Sequence, residues 1–553
     1  MKFTLALATI AASMAVVAPA RAAADDVAAQ LDALVAPHFP ANGPGAAVLV
    51  RRGDQILLRK GYGSANLELD VPMRPELVFR LGSITKQFTS AAIMMLVDQG
   101  KLALGDDVRK YVPEYPSHGP TVTIEQLLSH TGGVPNYTEQ PAFHKRGRDD
   151  LSHAELLATF KDLPLDFAPG TQWKYSNSGY YLLGMVIEKV TGKSWAAFLG
   201  ERIFTPLGMT HTRQGDVAPI IPGRVAGYDR ADDGFDNSEY LSMTGPFAAG
   251  ALVSTVDDLA RWDRAIGDGK LLKKASWARV FSARRLPDGS STHYGFGWGI
   301  SAVQGHPAVW HNGGIPGFST AIVRVPDQRL VAIVLCNSSP ALTNPDELAF
   351  RLAATALGKP FIEPKPIALA PAALDRYVGV YKVSDRARLV VRRDGDHLTL
   401  QRTGRGLLAL DAETDGRFFV KDTLVRVAFV RDAHGRVTGL DMTEEGAVDH
   451  RARTDEPLPA ERIAVAVDGK ILEGYVGRYE LGPGFVITVT REGAHLFAQA
   501  TGQPRFELFA SAPAEFFLKV VDAQVSFHAG GSGHAAELVL HQGGRDMPAK
   551  RLP

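Results

Sequence analysis

An α+β domain followed by two small all-β units is the architecture expected of this 553-residue chain. Three observations carry the expectation. Strand-like runs lie at both ends of the region preceding Pro360, with helix-like runs between and outside them. Pro360, Pro364, Pro366 and Pro371 then crowd one short stretch, which reads as a linker of limited flexibility. Beyond that linker a β-rich text occurs twice. At about 150 residues per domain the length fits three or four folding units.

Each element follows from local pattern. Residues 25–39 read as a helix, and GAAVLVRRGDQILLRKGYG (45–63) as a hairpin turning at Gly53-Asp54. Ile84, Phe88, Ala91, Ala92, Met95, Leu96 and Leu102 recur at helical spacing, so 85–102 is expected to be a long buried helix that breaks near Gln99-Gly100. Residues 103–245 lack a strand series and read as a helical insert. AVWH (308–311), TAIVRVP (320–326) and RLVAIVLC (329–336) are strands, with Pro326-Asp327 as a turn, and ELAFRLAATAL (347–357) is a helix. An antiparallel sheet assembled from the chain ends, with helices on its faces, results. LDRYVGVYKV (374–383) returns as LEGYVGRYEL (472–481), and alternating runs with a Gly turn before His-Leu follow each copy, as in a small barrel or sandwich. The expected division is a signal peptide over 1–24, a first domain over 25–358, and β units over 372–456 and 468–553.

Composition excludes several partners. Lys plus Arg and Asp plus Glu are both 60, so no basic field draws nucleic acid or an anionic membrane. Met1-Lys2, an apolar run from Phe3 to Ala18 and the small-residue Ala20-Arg21-Ala22 have the layout of a secretory signal, with cleavage expected after Ala22 or Ala24. Export to the periplasm or medium is expected, with no stable membrane insertion after cleavage. The lone cysteine, Cys336, lies in an apolar run and reads as a buried strand residue.

Ser83-Ile84-Thr85-Lys86 is the single Ser-x-x-Lys in the chain. At a helix start, Lys86 lies one turn beyond Ser83 and faces the same way, so a weak hydroxyl nucleophile has an amine within reach. Burial would depress the lysine pKa and let it accept the serine proton. Tyr175-Ser176-Asn177 is the single Tyr-x-Asn among 14 tyrosines; a phenol beside that pair could relay a proton, and an amide could hold a substrate carbonyl. His-x-Gly occurs at His130, His293, His311, His528 and His541. His311 is singled out because it is expected to end a strand beside Gly313-Gly314, where Gly314 and Ser83 could give two N–H donors to an oxyanion. No Gly-x-Ser-x-Gly elbow, His-x-His or His-Glu-x-x-His is present, against an α/β-hydrolase or a zinc hydrolase. No metal or cofactor is expected.

Ser-x-x-Lys, Tyr-x-Asn and His-x-Gly in this order resemble the class C β-lactamase and serine DD-peptidase superfamily, and LGSITKQFTSAAI (81–93), LLSHTGGVPNY (127–137), YGFGWGI (294–300) and HNGGIPGFS (311–319) resemble it further. The resemblance implies a β-lactamase/transpeptidase-like domain, with lipocalin-like barrels after it. It implies Ser83 as acylated nucleophile, Lys86 and Tyr175 as acid/base pair, Asn177 and His311 as substrate or proton-network contacts, and the N–H groups of Ser83 and Gly314 as oxyanion hole. Where β-lactamases carry Lys-Thr-Gly, this chain has His311, which weakens carboxylate recognition and is more similar to D-aminopeptidase-type peptidases and related esterases. The implied activity is acyl-enzyme hydrolysis of amide bonds in short peptides, including those with D-residues or unusual linkages. An esterase, a weak β-lactamase and a non-catalytic penicillin- or peptidoglycan-binding sensor are the alternatives. The glycine-rich stretch 528–533 is expected to border the cleft.

Overall fold

The computed structural model describes residues 17–553 except 232–233, 385–386, 461, 483–484, 502, 504, 532 and 543–544. Most of the expected signal segment thus lies outside the described residues, as does position 532 of the stretch 528–533. The chain divides into two compact units, one gathering the residues up to Val134, Leu165–Tyr175 and Gly179–Phe361, the other Pro135–Pro164, Ser176–Ser178 and Ile362–Pro553.

In the first unit β1 (Ala46–Arg52) and β2 (Gln55–Tyr62) form the expected hairpin, turning at Gly53 with φ +59°. Late in the unit come β3 (Gly299–Val303), β4 (His306–Ile315), β5 (Phe318–Val325) and β6 (Leu330–Cys336). Among the described residues these six strands make one antiparallel sheet in the order β3-β4-β5-β6-β1-β2, which joins the chain ends through Ala46↔Cys336 to Arg52↔Leu330. Every residue of β6 is buried, because it sits mid-sheet with helices on both faces, and a continuous apolar run is what such a strand requires. Cys336 ends it, buried and reduced.

Helices α1 (Val17–Val35), α2 (Thr85–Asp98), α3 (Asn177–Thr191), α4 (Val256–Gly267) and α5 (Pro345–Ala356) complete the frame. α5 starts where Asn344 accepts from the Asp346 N–H, with Pro345 at the first helical position, and packs on β5, β6 and α1. α4 packs on β1 and β6 and is capped by the Thr255 hydroxyl. Asp263 of α4 is bonded by both Arg51 and Arg324, which pins the helix to the sheet through buried ion pairs. α2 is buried on nearly every side from Thr85 to Leu96, as the periodicity predicts, and ends at Gln99 before Gly100, φ +68°.

Two expectations are corrected. His311 does not end its strand: β4 runs on to Ile315, pairing Gly313 with Thr320 and Gly314 with Ser319. Both glycines stay extended, and Gly313 is required there because a Cβ would stand 1.9 Å from the Leu81 carbonyl oxygen. The insert is not free of strands either. Tyr228–Ala231 and Gly234–Asn237 pair with each other, and Tyr228–Ala231 runs parallel to Ser338–Ser339.

In the second unit, β7 (Gly379–Lys382) starts an eight-stranded antiparallel sheet ending in β14 (Ala447–Ala452), and β15 (Gly477–Gly482) starts a closed eight-stranded barrel ending in β22 (Arg545–Arg551), counted among the described residues. The barrel closes through Tyr479↔Arg551 and Glu480↔Lys550, and in the first sheet an isolated bridge pairs Tyr381 with Arg453. The copies repeat in detail. The hydroxyls of Tyr381 and Tyr479 donate to the carbonyls of Tyr377 and Tyr475 at 2.7 and 2.8 Å. The guanidiniums of Arg453 and Arg551 donate to the carbonyls of Val378 and Val476, both at 2.6 Å. Phe429 and Phe527 stack against Tyr377 and Tyr475 at 4.4 and 4.2 Å. Residues 135–164, expected within the first domain's insert, group with these β units, where Gly482 lies so close to Pro141 that a Cβ would come within 2.6 Å of it. Among the described residues no helix is long and apolar enough to cross a membrane.

Candidate active site

Ser83 stands on a 3₁₀ turn, Gly82–Ile84, that runs straight into α2. Gly82 has φ +55°, and a Cβ on it would lie 3.0 Å from the Gly314 nitrogen, so only glycine lets this turn sit against β4. The register is fixed by Leu81, whose N–H donates to Leu252 O at 2.9 Å and whose carbonyl accepts from the Thr320 hydroxyl at 2.8 Å. Ser83 is half-buried, and the Gly314 Cα faces open space.

One helical turn on, Lys86 is 0% exposed. Its Nζ donates to Ser83 Oγ at 3.0 Å and to the Ala249 carbonyl at 2.8 Å. Burial holds its pKa well below the ordinary lysine value, which favours the neutral amine. The Tyr175 ring centre is 4.8 Å from Lys86 Nζ, and the Ser83 side chain lies near enough to act on the Tyr175 hydroxyl. Burial raises the Tyr175 pKa and keeps it a phenol. Serine, amine and phenol therefore meet as the spacing suggested. An amine can take the serine proton, and a phenol can give one to a departing group.

His311 is buried on β4, with its ring centre 6.3 Å from that of Tyr175. Burial pushes its pKa down to about 3, so it is neutral at physiological pH. Both of its ring nitrogens are engaged within the protein, by Asn312 O at 2.6 Å and the Tyr294 hydroxyl at 2.8 Å. Asn177 opens α3; its N–H donates to Asn136 Oδ1 and its Nδ2 to Thr138 Oγ1, both at 3.1 Å.

Residue-by-residue reading missed the aromatic wall. The His130 ring packs at 4.3 Å on Tyr175, 4.8 Å on Tyr294 and 5.2 Å on Tyr180, from a backbone at φ +58°. A signal was present: His130-Thr131-Gly132 and His293-Tyr294-Gly295 are two of the five His-x-Gly triplets, and each sends a ring here. Among the described residues no group of three or more His, Cys, Asp or Glu side chains is placed to hold a metal.

Comparison with known proteins accords with this geometry. The family described as Beta-lactamase matches residues 28–357, and one described as Domain of unknown function (DUF3471) matches 363–456 and 461–551. Penicillin-binding protein 4* of Bacillus subtilis is 30% identical over 433 residues, 74% of this chain and 94% of that protein. A D-aminopeptidase of Gluconobacter oxydans is 29% identical over 63% of this chain and 66% of its own length. The structure of an octameric penicillin-binding protein homologue from Pyrococcus abyssi superposes with a TM-score of 0.54 at 25% identity, over 78% of this chain and 98% of that one. With its family match extending over more than half the sequence, the chain belongs to the Beta-lactamase family of serine hydrolases.

Proposed function

We propose that this serine hydrolase is exported and cleaves amide bonds of short peptides, among them peptides with D-residues, through an acyl-enzyme on Ser83. The observation that carries the reading is the 3.0 Å contact between Ser83 Oγ and a fully buried lysine amine. Lys86 Nζ takes the Ser83 proton as Oγ bonds to the substrate carbonyl carbon. The oxyanion accepts from the N–H groups of Ser83 and Gly314. Tyr175 delivers its proton to the leaving nitrogen as the C–N bond breaks and recovers it from the Lys86 ammonium. Water then attacks the ester with the same pair reversed, releasing acid and free Ser83. Asn177 is assigned to holding the substrate.

The neutral, doubly engaged His311 supports peptides over β-lactams, because at this position it offers a substrate carboxylate neither charge nor free N–H. The D-aminopeptidase relative supports D-residues. The same chemistry serves an esterase, which is the second reading. A panel of D- and L-peptide amides, p-nitrophenyl esters and cephalosporins, run with wild type and Ser83→Ala, decides among them. D-peptide amides are expected to turn over fastest and Ser83→Ala to lose all turnover, a fall of at least about 10³-fold. Full activity in Ser83→Ala removes the nucleophile, ester turnover alone selects the esterase, and a single acylation without turnover selects a sensor.

A further inference from the structure

Two buried phenols behind the site, Tyr294 and Tyr180, have no part in the reaction above. The His311 Nδ1 faces the Asn312 carbonyl oxygen at 2.6 Å. A carbonyl oxygen only accepts, so Nδ1 carries the ring proton, Nε2 of the neutral ring is a lone pair, and the Tyr294 hydroxyl 2.8 Å away is the donor to it. Tyr294 is 7% exposed. The Tyr180 hydroxyl donates to Leu128 O at 2.8 Å and lies 3.0 Å from Ser90 Oγ.

The carbonyl held by His311 belongs to the peptide whose N–H is that of Gly313, and the next N–H is that of Gly314. On the opposite sheet face Asn312 Nδ2 donates to Asp346 Oδ2 at 2.6 Å, as alternation along a strand requires. The two residues just before the double glycine are thus gripped from both faces. Glycines supply no side-chain packing of their own, so their orientation depends on such neighbours.

We propose that Tyr294 is a positioning residue: by bonding Nε2 it fixes the His311 ring, and through the Asn312 carbonyl it sets the Gly313-Gly314 backbone so that the Gly314 N–H points to the oxyanion formed beside Ser83. This rests on the acyl-enzyme reading of Ser83 and Gly314. A donor that acts on the oxyanion works in the transition state more than on bound substrate, so its misplacement lowers kcat and leaves KM largely alone.

The test is Tyr294→Phe, which keeps the ring and loses the hydroxyl. The expected result is a kcat lower by roughly 10- to 100-fold with KM within about 3-fold. The His311 ring takes its second proton at a higher pH than in wild type, since Nε2 has lost the bond that favours its unprotonated form. Added to His311→Ala, the same change has no further effect. Side-chain ¹⁵N spectra of selectively labelled histidine provide a readout independent of activity: wild type shows His311 protonated on Nδ1, and Tyr294→Phe shifts its Nε2 signal. Unchanged kcat in Tyr294→Phe, full additivity with His311→Ala, or an Nε2-protonated His311 in wild type overturns the proposal. Activity retained in Ser83→Ala instead overturns the acyl-enzyme reading on which it rests, so the two failures are distinguishable.

Discussion

A buried amine that bonds a serine hydroxyl and a main-chain carbonyl is held by its size and by its capacity to lose a proton. Arginine at position 86 keeps its charge at any working pH and is too large for the site. Lys86→Arg is therefore expected to lower kcat/KM by at least about 10³-fold. Lys86→Met should be equally inactive yet melt no lower than wild type, because it removes the cost of burying an ionisable amine; parallel activity and thermal-melt measurements check both. The acid limb of kcat/KM marks protonation of Lys86 and is expected well below the ordinary lysine value. Gly313→Ala puts a Cβ 1.9 Å from the Leu81 oxygen, forcing apart the Ser83 turn and β4. It should cost on the order of 2 to 3 kcal/mol by urea unfolding and abolish turnover. The pairing of Ser83 with Lys86 was legible because one helical turn separates them. The engagement of His311 was not, since its partner Tyr294 comes from a turn whose position depends on the whole unit.

At the scale of elements, β4 is gripped by α5 through Asn312 and Asp346. Burial raises the Asp346 carboxyl to about 7, with the Asn312 bond opposing and the Glu347 charge adding to the rise, and its Oδ1 is buried without a hydrogen bond. Folded Asp346 thus keeps its proton to higher pH than in the unfolded chain. The stability it contributes is complete below about 4, the unfolded value, and is lost as pH rises through about 7. The loss is on the order of 4 kcal/mol, from about 1.4 kcal/mol per pH unit. Asp346→Asn should flatten the fall in melting temperature between pH 5 and 8, and an unchanged slope would show that the carboxyl is ionised throughout. The β1–β2 hairpin and β6 were readable from alternation and from an unbroken apolar run. The extension of β4 through two glycines was hidden, because glycine is a poor strand former and it is close approach to Leu81 that makes it necessary. Strands of four residues, such as Tyr228–Ala231, are too short to show a period.

At the scale of the molecule, the duplication was legible from the repeated text, whereas the grouping of 135–164 with the β units was not. That grouping depends on contacts such as Gly482 with Pro141, between residues more than three hundred positions apart, which no local pattern encodes. A chain ending at residue 456 lacks that contact. It is expected to be cut by trypsin within 135–164, at Lys145, Arg146 or Arg148, several-fold faster than the full chain. Equal rates would show that the segment holds its place without β15.

The two copies also differ. In the first, Tyr377 bonds Asp415, which pairs with Arg376 and Arg431; ninety-eight residues on, the counterparts of Asp415 and Arg431 are Pro513 and Ala529. The tyrosine–arginine clasp is common to both, while the charged cluster beside it belongs to one. A crossover between equivalent points would therefore splice the head of one copy to the tail of the other and still leave a complete clasp, Tyr381 with Arg551. Loss of one whole copy is then the deletion this architecture accommodates most readily, and shortened forms should lack a full repeat rather than a fragment of one.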